Sequence, residues 1–311
     1  MKKINIGFFG DGIWGEMSLK KILSDKNIVV KFICLRYKNP DKKIIKIAQK
    51  QKIYYFWSKN INSSYSIKEI SSYKCDLLVS MSYNQFFQKK LIKLAKLSII
   101  NCHAGKLPFY RGRNILNWSL INDEKEFGIT VHFVDRNIDT GDIILQKVYP
   151  ITDKDDYGTL LSKCYKNCPL VLYDSIKKIQ FGNYRRIQQK KIDSKGSYFK
   201  KRKKGDEIIN WNQSPRSLFN FVRAISKPGP MATTYYKNKP FFINKIHNIF
   251  IKCHQKKVRP GTIVKFGPRK RFIVVKTKNE CIKILEWFSK LFPKENNIFY
   301  SRINQSAKNK L

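Results

Sequence analysis

The chain has 311 residues, with 63 Lys and Arg against 22 Asp and Glu for a formal charge of +41, and 42% of its positions are hydrophobic. That apolar share excludes a disordered polycation or a fibrous chain, and the length suits two cores that need no disulfide or metal staple. No stretch approaches the roughly 18 consecutive apolar residues of a membrane span, and the amino terminus patterns at once as a strand, so neither an anchor nor a signal peptide is expected.

Residues 4–9 alternate and then run apolar, Gly10-Asp11-Gly12-Ile13-Trp14-Gly15 follows, and a helical period continues through Leu19 and Ile22. This reads as strand, tight turn and helix. Strand patterns at 28–35, 53–56, 76–81 and 97–102 alternate with helical stretches at 44–51, 67–73 and 85–94. Such alternation predicts an α/β fold with a Rossmann-like, mostly parallel sheet and helices on both faces. A helix near 114–121 precedes strands at 128–134 and 143–149, joined by the turn-rich 135–142, which predicts an antiparallel addition to that sheet. Thr152 or Asp155 can cap a further helix past Leu160 and Cys164, interrupted at Pro169 and resumed through Leu172 and Ile176 toward Gly182. Beyond Gly205 the texture becomes β-rich, with a helix at 215–224 and strand runs at 235–243, 262–266, 272–276 and 281–287. Turn signals between them predict a smaller barrel or meander. The expected domains are 1–200 and 206–311, with Lys200-Lys201-Arg202-Lys203-Lys204 as a solvated linker.

The positive charge invites a nucleic-acid partner, because phosphate neutralisation supplies most non-specific affinity. Its distribution argues otherwise: the lysines run from Lys2 to Lys310 in a chain also crowded with Ile and Asn. Compositional drift toward A/T-rich codons accounts for that without selection for RNA or DNA. The seven cysteines are scattered and mostly set in apolar runs, which fits reduced thiols in a cytoplasmic protein. No metal-ligand spacing appears.

Three segments carry candidate chemistry. Gly10-x-Gly12-x-x-Gly15 matches a dinucleotide fingerprint, but the second strand ends on Arg36 where an NAD enzyme would present an acid, and tight packing explains the glycines equally well. Asn101 and His103 sit two apart at the end of an apolar strand, so both project into the crevice above the sheet edge. Asp139 lies in the loop between the two late strands, where a carboxylate beside His103 would orient the imidazole and stabilise its charged form. Together these supply an amide-forming acyl transfer: His103 relays the proton of an attacking amine, Asn101 donates to the developing oxyanion, and Asp139 holds the ring.

Asn101-x-His103, then Leu107-Pro108-x-x-Arg111-Gly112 and Asp139-Thr140-Gly141-Asp142-Ile143, resembles the signature of the folate-dependent formyltransferases. The resemblance covers most of residues 1–180, with a weaker echo beyond. It implies formyl transfer from 10-formyltetrahydrofolate to an amine, and an OB-like carboxyl-terminal domain. It also implies a folate pocket at Ser82, Tyr83, Gln85, Phe86 and Phe87. Tyr110 to Trp118 is similar to the Arg-Gly-Arg and Leu-Asn-Trp pattern of the nucleotide-sugar N-formyltransferases, where methionyl-tRNA formyltransferase usually reads Arg-Gly-Ala-Ala-Pro-Ile. The implied acceptor is therefore a dTDP- or UDP-linked deoxyaminosugar, with Arg113, Asn117 and Trp118 as substrate-binding residues and Arg113 meeting the diphosphate. A tRNA partner belongs to the alternative reading only. No membrane partner is expected, and a homodimer is compatible with the sequence.

Overall fold

Ile4, Ile6, Phe8 and Phe9 are all buried in the first strand, as a strand covered on both faces requires. The computed structural model describes residues 2–247, 249, 251–253 and 258–301, so residues 302–311 of the expected second domain lie outside the described residues. In chain order the elements are β1 (Ile4–Gly10), α1 (Gly12–Leu23), β2 (Ile28–Leu35), α2 (Lys42–Lys50), β3 (Tyr54–Trp57), α3 (Ser64–Ser72), β4 (Leu77–Met81) and α4 (Lys89–Ile92). There follow β5 (Ile99–His103), β6 (Arg111–Gly112), α5 (Ile115–Ile121), β7 (Glu126–Phe133), β8 (Ile143–Pro150), α6 (Tyr157–Gln180), α7 (Gln189–Ile192) and β9 (Tyr198–Phe199). The rest is α8 (Pro215–Ile225), β10 (Ala232–Tyr236), β11 (Lys239–Ile246), β12 (Ile263–Phe266), β13 (Ile273–Lys276) and β14 (Cys281–Phe288). Two compact units divide the chain: Met1–Ile115 with Glu126–Tyr149 and Ser162–Lys200, and Leu116–Lys125 with Pro150–Leu161 and Lys201–Leu311.

The first unit carries a sheet of order β3-β2-β1-β4-β5-β7-β8. Strands β1 to β5 pair in parallel, while β7 runs antiparallel to β5, so the expected Rossmann-like sheet with an antiparallel addition is what forms. Strand order reverses between β1 and β4, and the carboxyl ends beside such a reversal are where open α/β sheets receive ligands. Gly10 and Gly12 serve the turn at that edge. A Cβ on Gly10 would lie 2.7 Å from the Met81 carbonyl oxygen of β4, and Gly12 holds a left-handed φ of 63°. Asp11 caps α1 through its own side chain, accepting from the Gly12 amide. Close packing and turn geometry account for the glycine motif.

Three local expectations change. The helix expected over 85–94 shrinks to α4, because the Asn62 side chain donates to the Phe86 carbonyl and accepts from the Gln88 amide, holding that stretch irregular. Pro169 does not interrupt α6. Leu160, Cys164 and Cys168 before it and Val171, Leu172 and Ile176 after it continue one buried stripe, and that packing outweighs the lost amide. The run 235–243 is a hairpin, β10 and β11, turning at Lys237 and Asn238, which have φ of 46° and 60°. Positive φ at both central positions is the type I′ geometry that matches strand twist.

In the second unit β10-β11-β14-β13-β12 form an antiparallel sheet, and α8 is capped by Ser214 with Pro215 in its first turn. Trp211 stacks on Phe299 at 5.7 Å, and its indole N–H donates to Thr234 Oγ1 at 3.0 Å. That satisfies the polar edge of a buried ring.

Two outcomes follow from this packing. Gly10→Ala forces β1 and β4 apart at the sheet edge and costs about 1–3 kcal/mol, read as a lower denaturant midpoint. Asp25, after α1, accepts from Lys177 Nζ at 2.7 Å, from the Asn27 amide and from the Tyr173 hydroxyl, and these donors hold its carboxyl well below the usual range against the opposing effect of burial. A depressed carboxyl contributes stability that is present above its unfolded value and is lost as pH falls through the folded one. Asp25→Asn therefore lowers unfolding free energy by about 1–2 kcal/mol at neutral pH, and the difference from wild type closes as pH drops to about 2. Thermal unfolding at both pH values checks this.

Candidate active site

β5 ends in Asn101-Cys102-His103, and β7 lies beside it in the register Asn101 opposite His132 and His103 opposite Thr130. The loop after β7 doubles back, braced by Asp135, whose carboxylate accepts from the Thr140 hydroxyl and the Asn137 amide. Asp135 thus supports the turn and leaves Asp139 free for another task. Asp139 takes a left-handed φ of 55° and its carboxylate reaches two imidazoles, His103 Nδ1 at 3.6 Å and His132 Nε2 at 3.5 Å. The Gly112 amide donates to the same carboxylate at 3.0 Å.

The Asp139 carboxyl is nearly buried, which alone would raise its pKa, but His103, His132 and the Gly112 amide outweigh that and hold it well below the usual carboxylate range. It is a fixed negative charge between two rings. His132 Nδ1 donates to the Phe133 carbonyl at 2.8 Å, so its Nε2 faces Asp139 and the Asn101 side-chain amide, 3.4 Å away. The Asn101 amide nitrogen carries two protons, and this contact engages one of them. His103 Nε2 lies 2.7 Å from the Tyr110 carbonyl oxygen. Both partners of His103 are acceptors, so the ring donates to both only with a proton on each nitrogen.

The structure brings Asn101, His103 and Asp139 into one polar cluster, as expected, and adds His132, which the sequence reading missed. Its signal was a lone imidazole inside the apolar run Ile129–Phe133, 2% exposed, on a strand paired with the one bearing His103. Tyr110 and Gln189 also escaped notice.

The expected folate segment is mixed. Tyr83 and Phe87 pack with Phe9 in the core, Phe87 being 8% exposed, and burial pushes the Tyr83 hydroxyl far up. Phe87 is buried and Tyr83 partly buried against the same cluster. Gln85 ties down 58–61, accepting from the Ile61 amide and donating to the Ser58 carbonyl. Phe86 is 64% exposed, and Ser82, at φ 58°, accepts from Arg36 Nη1. Within this segment Asn84 Oδ1 is buried and has no partner among the described residues. Such an orphaned acceptor fits a donor-bearing heterocycle such as a pterin.

Arg113 is exposed, and its side chain makes no hydrogen bond or ion pair among the described residues. Asn117, expected at the substrate, is 5% exposed and donates its amide to the Ala224 carbonyl of α8 at 2.5 Å. Trp118 is half-buried, with the Arg202 guanidinium 5.7 Å from its ring centre. Arg111 donates Nε and Nη2 to Gln189 and Nη1 to the Lys195 carbonyl.

The formyl transferase family pattern matches residues 22–175, and the formyl transferase C-terminal domain pattern matches 201–290. The bifunctional polymyxin resistance protein ArnA of Wigglesworthia glossinidia brevipalpis is 35% identical over 248 residues, covering 77% of this chain, which spans only 35% of that relative. The methionyl-tRNA formyltransferase of Methylacidiphilum infernorum is 31% identical over 271 residues, 84% of this chain and 83% of that one. The crystal structure of an N-formyltransferase from Helicobacter canadensis, in complex with folinic acid and dTDP-3-aminofucose, superposes with a TM-score of 0.68 at 19% identity over 93% of this chain and all of its own, a likeness of fold. Both halves of the sequence thus match the family's two domains in order, and a relative more than 30% identical is spanned over most of its length: the chain belongs to the formyltransferase family.

Proposed function

We propose that this protein moves the formyl group of 10-formyltetrahydrofolate to the primary amine of a dTDP- or UDP-linked deoxyaminosugar. In this reading the first compact unit is the catalytic domain and the second the OB-like domain, with 116–125 and 150–161, expected within the continuous domain 1–200, belonging to the second unit. The convergence of Asn101, His103 and Asp139 carries the reading of the reaction. The folate supplies the formyl carbon. Its segment is Ser82 to Phe86, with the orphaned Asn84 Oδ1 and the exposed Phe86 as the groups that meet it.

Asn101 uses the amide proton that His132 does not engage to donate to the formyl oxygen as negative charge builds there. His103 receives the amine's proton at Nε2, turned from the Tyr110 carbonyl, as the amine nitrogen bonds to the formyl carbon, and passes it to N10 of the folate as the bond from that nitrogen to the formyl carbon breaks. Asp139 stabilises the resulting imidazolium and not the neutral ring, which is how a buried carboxylate favours proton transfer. Support for a sugar acceptor comes from the likeness of Tyr110 to Trp118 to the nucleotide-sugar N-formyltransferases and from Arg113, an exposed guanidinium just after β6 with no side-chain partner among the described residues, able to pair bidentately with a diphosphate. Asn117 is engaged elsewhere and is not part of this proposal.

Methionyl-tRNA as acceptor is the second reading, favoured by the relative of that name spanned over 83% of its length. Incubation with 10-formyltetrahydrofolate, a panel of dTDP- and UDP-aminosugars and charged initiator tRNA, with products read by mass, decides between them. Formylation of a nucleotide sugar is expected; formylation of the tRNA alone overturns the sugar assignment. Asn101→Ala should slow turnover about 100- to 1,000-fold, the loss typical of one oxyanion donor. His103→Ala should be slower still, and a rate equal to wild type in this variant would show that His103 carries no proton in the transfer.

A further inference from the structure

Gln189, in α7, is 3% exposed and uses every hydrogen-bonding position of its side chain. Nε2 donates to the Asp139 carbonyl at 2.8 Å and to the Gly141 carbonyl at 2.8 Å. Oε1 accepts from Arg111 Nε at 3.0 Å and from Arg111 Nη2 at 2.8 Å. The two donor bonds grip the backbone at Asp139, which presents the carboxylate to the imidazoles, and again two residues on at Gly141. The two acceptor bonds tie that grip to the residue preceding Gly112, whose amide donates to Asp139 Oδ2.

Asp is among the residues that tolerate a left-handed φ, so this conformation of Asp139 is locally accessible, and its anchorage comes from Gln189, in a segment far along the chain. The same segment holds the other partner of His103. Ser197 Oγ accepts from the Tyr110 amide at 2.9 Å, and Phe199 stacks on Tyr110 at 4.7 Å. Strand β9 pairs in parallel with β6, so the segment is fastened at both ends.

We infer that Gln189 is a positioning residue, acting through the Asp139–Gly141 backbone and Arg111 to hold the Asp139 carboxylate against His103 and His132. The inference rests on the reading of His103 and Asp139 as the catalytic pair and is independent of the acceptor. The groups facing the carboxyl are His103 from β5, His132 from β7 and the Gly112 amide from β6; releasing the loop weakens all three together.

The test compares wild type, Gln189→Ala and Gln189→Glu, with the Asp139 carboxyl followed by carbon-13 NMR across an acid titration. In the wild type Asp139 stays ionised below the usual carboxylate range. Both variants should bring its midpoint up into that range. Glutamate retains the acceptors for Arg111 but loses both donors to the loop, so it should fail to rescue. Unfolding midpoints, measured in parallel, identify any variant whose fold is lost, and the other variant then carries the comparison. An Asp139 midpoint unchanged in a folded variant overturns the inference. With whichever acceptor the wild type formylates, kcat should fall about 10- to 100-fold with KM for the folate unchanged. A rise in KM alone would also overturn it. Should the wild type formylate no nucleotide sugar, the acceptor reading fails while the titration still decides this one.

Discussion

A single buried negative charge organises the site. The Asp139 carboxylate needs compensation in proportion to its burial, and it meets three elements at once: the Gly112 amide of β6 donates to it, and the imidazoles of His103 on β5 and His132 on β7 stand 3.6 and 3.5 Å away. Removing it would leave two imidazoles facing an uncompensated gap, which ties the sheet, the loop and the turn into one electrostatic unit.

The antiparallel strand β7 makes that unit possible. In a purely parallel sheet the residues at one edge come only from strand ends, each followed by a crossover. Running β7 back along β5 sets His132 beside Asn101, inside the sheet, and returns the chain through a loop short enough to deliver a carboxylate to His103. The same pairing gives Asn101 a fixed neighbour for one amide proton, so its other proton has a defined direction.

Motif residues divide between support and chemistry at Arg111 and in the folate segment. Arg111 belongs to the motif yet spends its guanidinium on Gln189 and Lys195, whereas Arg113 is exposed. Tyr83 and Phe87 sit in the segment expected to line a pocket, and both pack against Phe9. Adjacent residues on an irregular segment point in opposite directions, so membership of a motif does not fix a side chain's role.

Hydrophobic periodicity by itself determined the alternating strands and helices, the parallel sheet and the β-rich tail, because burial enforces those periods locally. The spacing of Asn101 and His103 was legible for the same reason: two residues apart in a strand share a face whatever the rest of the chain does. Only the tertiary structure decided that His132 joins them, that Asn117 is committed to a helix carbonyl, and that Gln189 braces Asp139 from 50 residues away. Those are long-range pairings, set by strand register and by which buried polar atoms are left to find one another, and no local pattern encodes them.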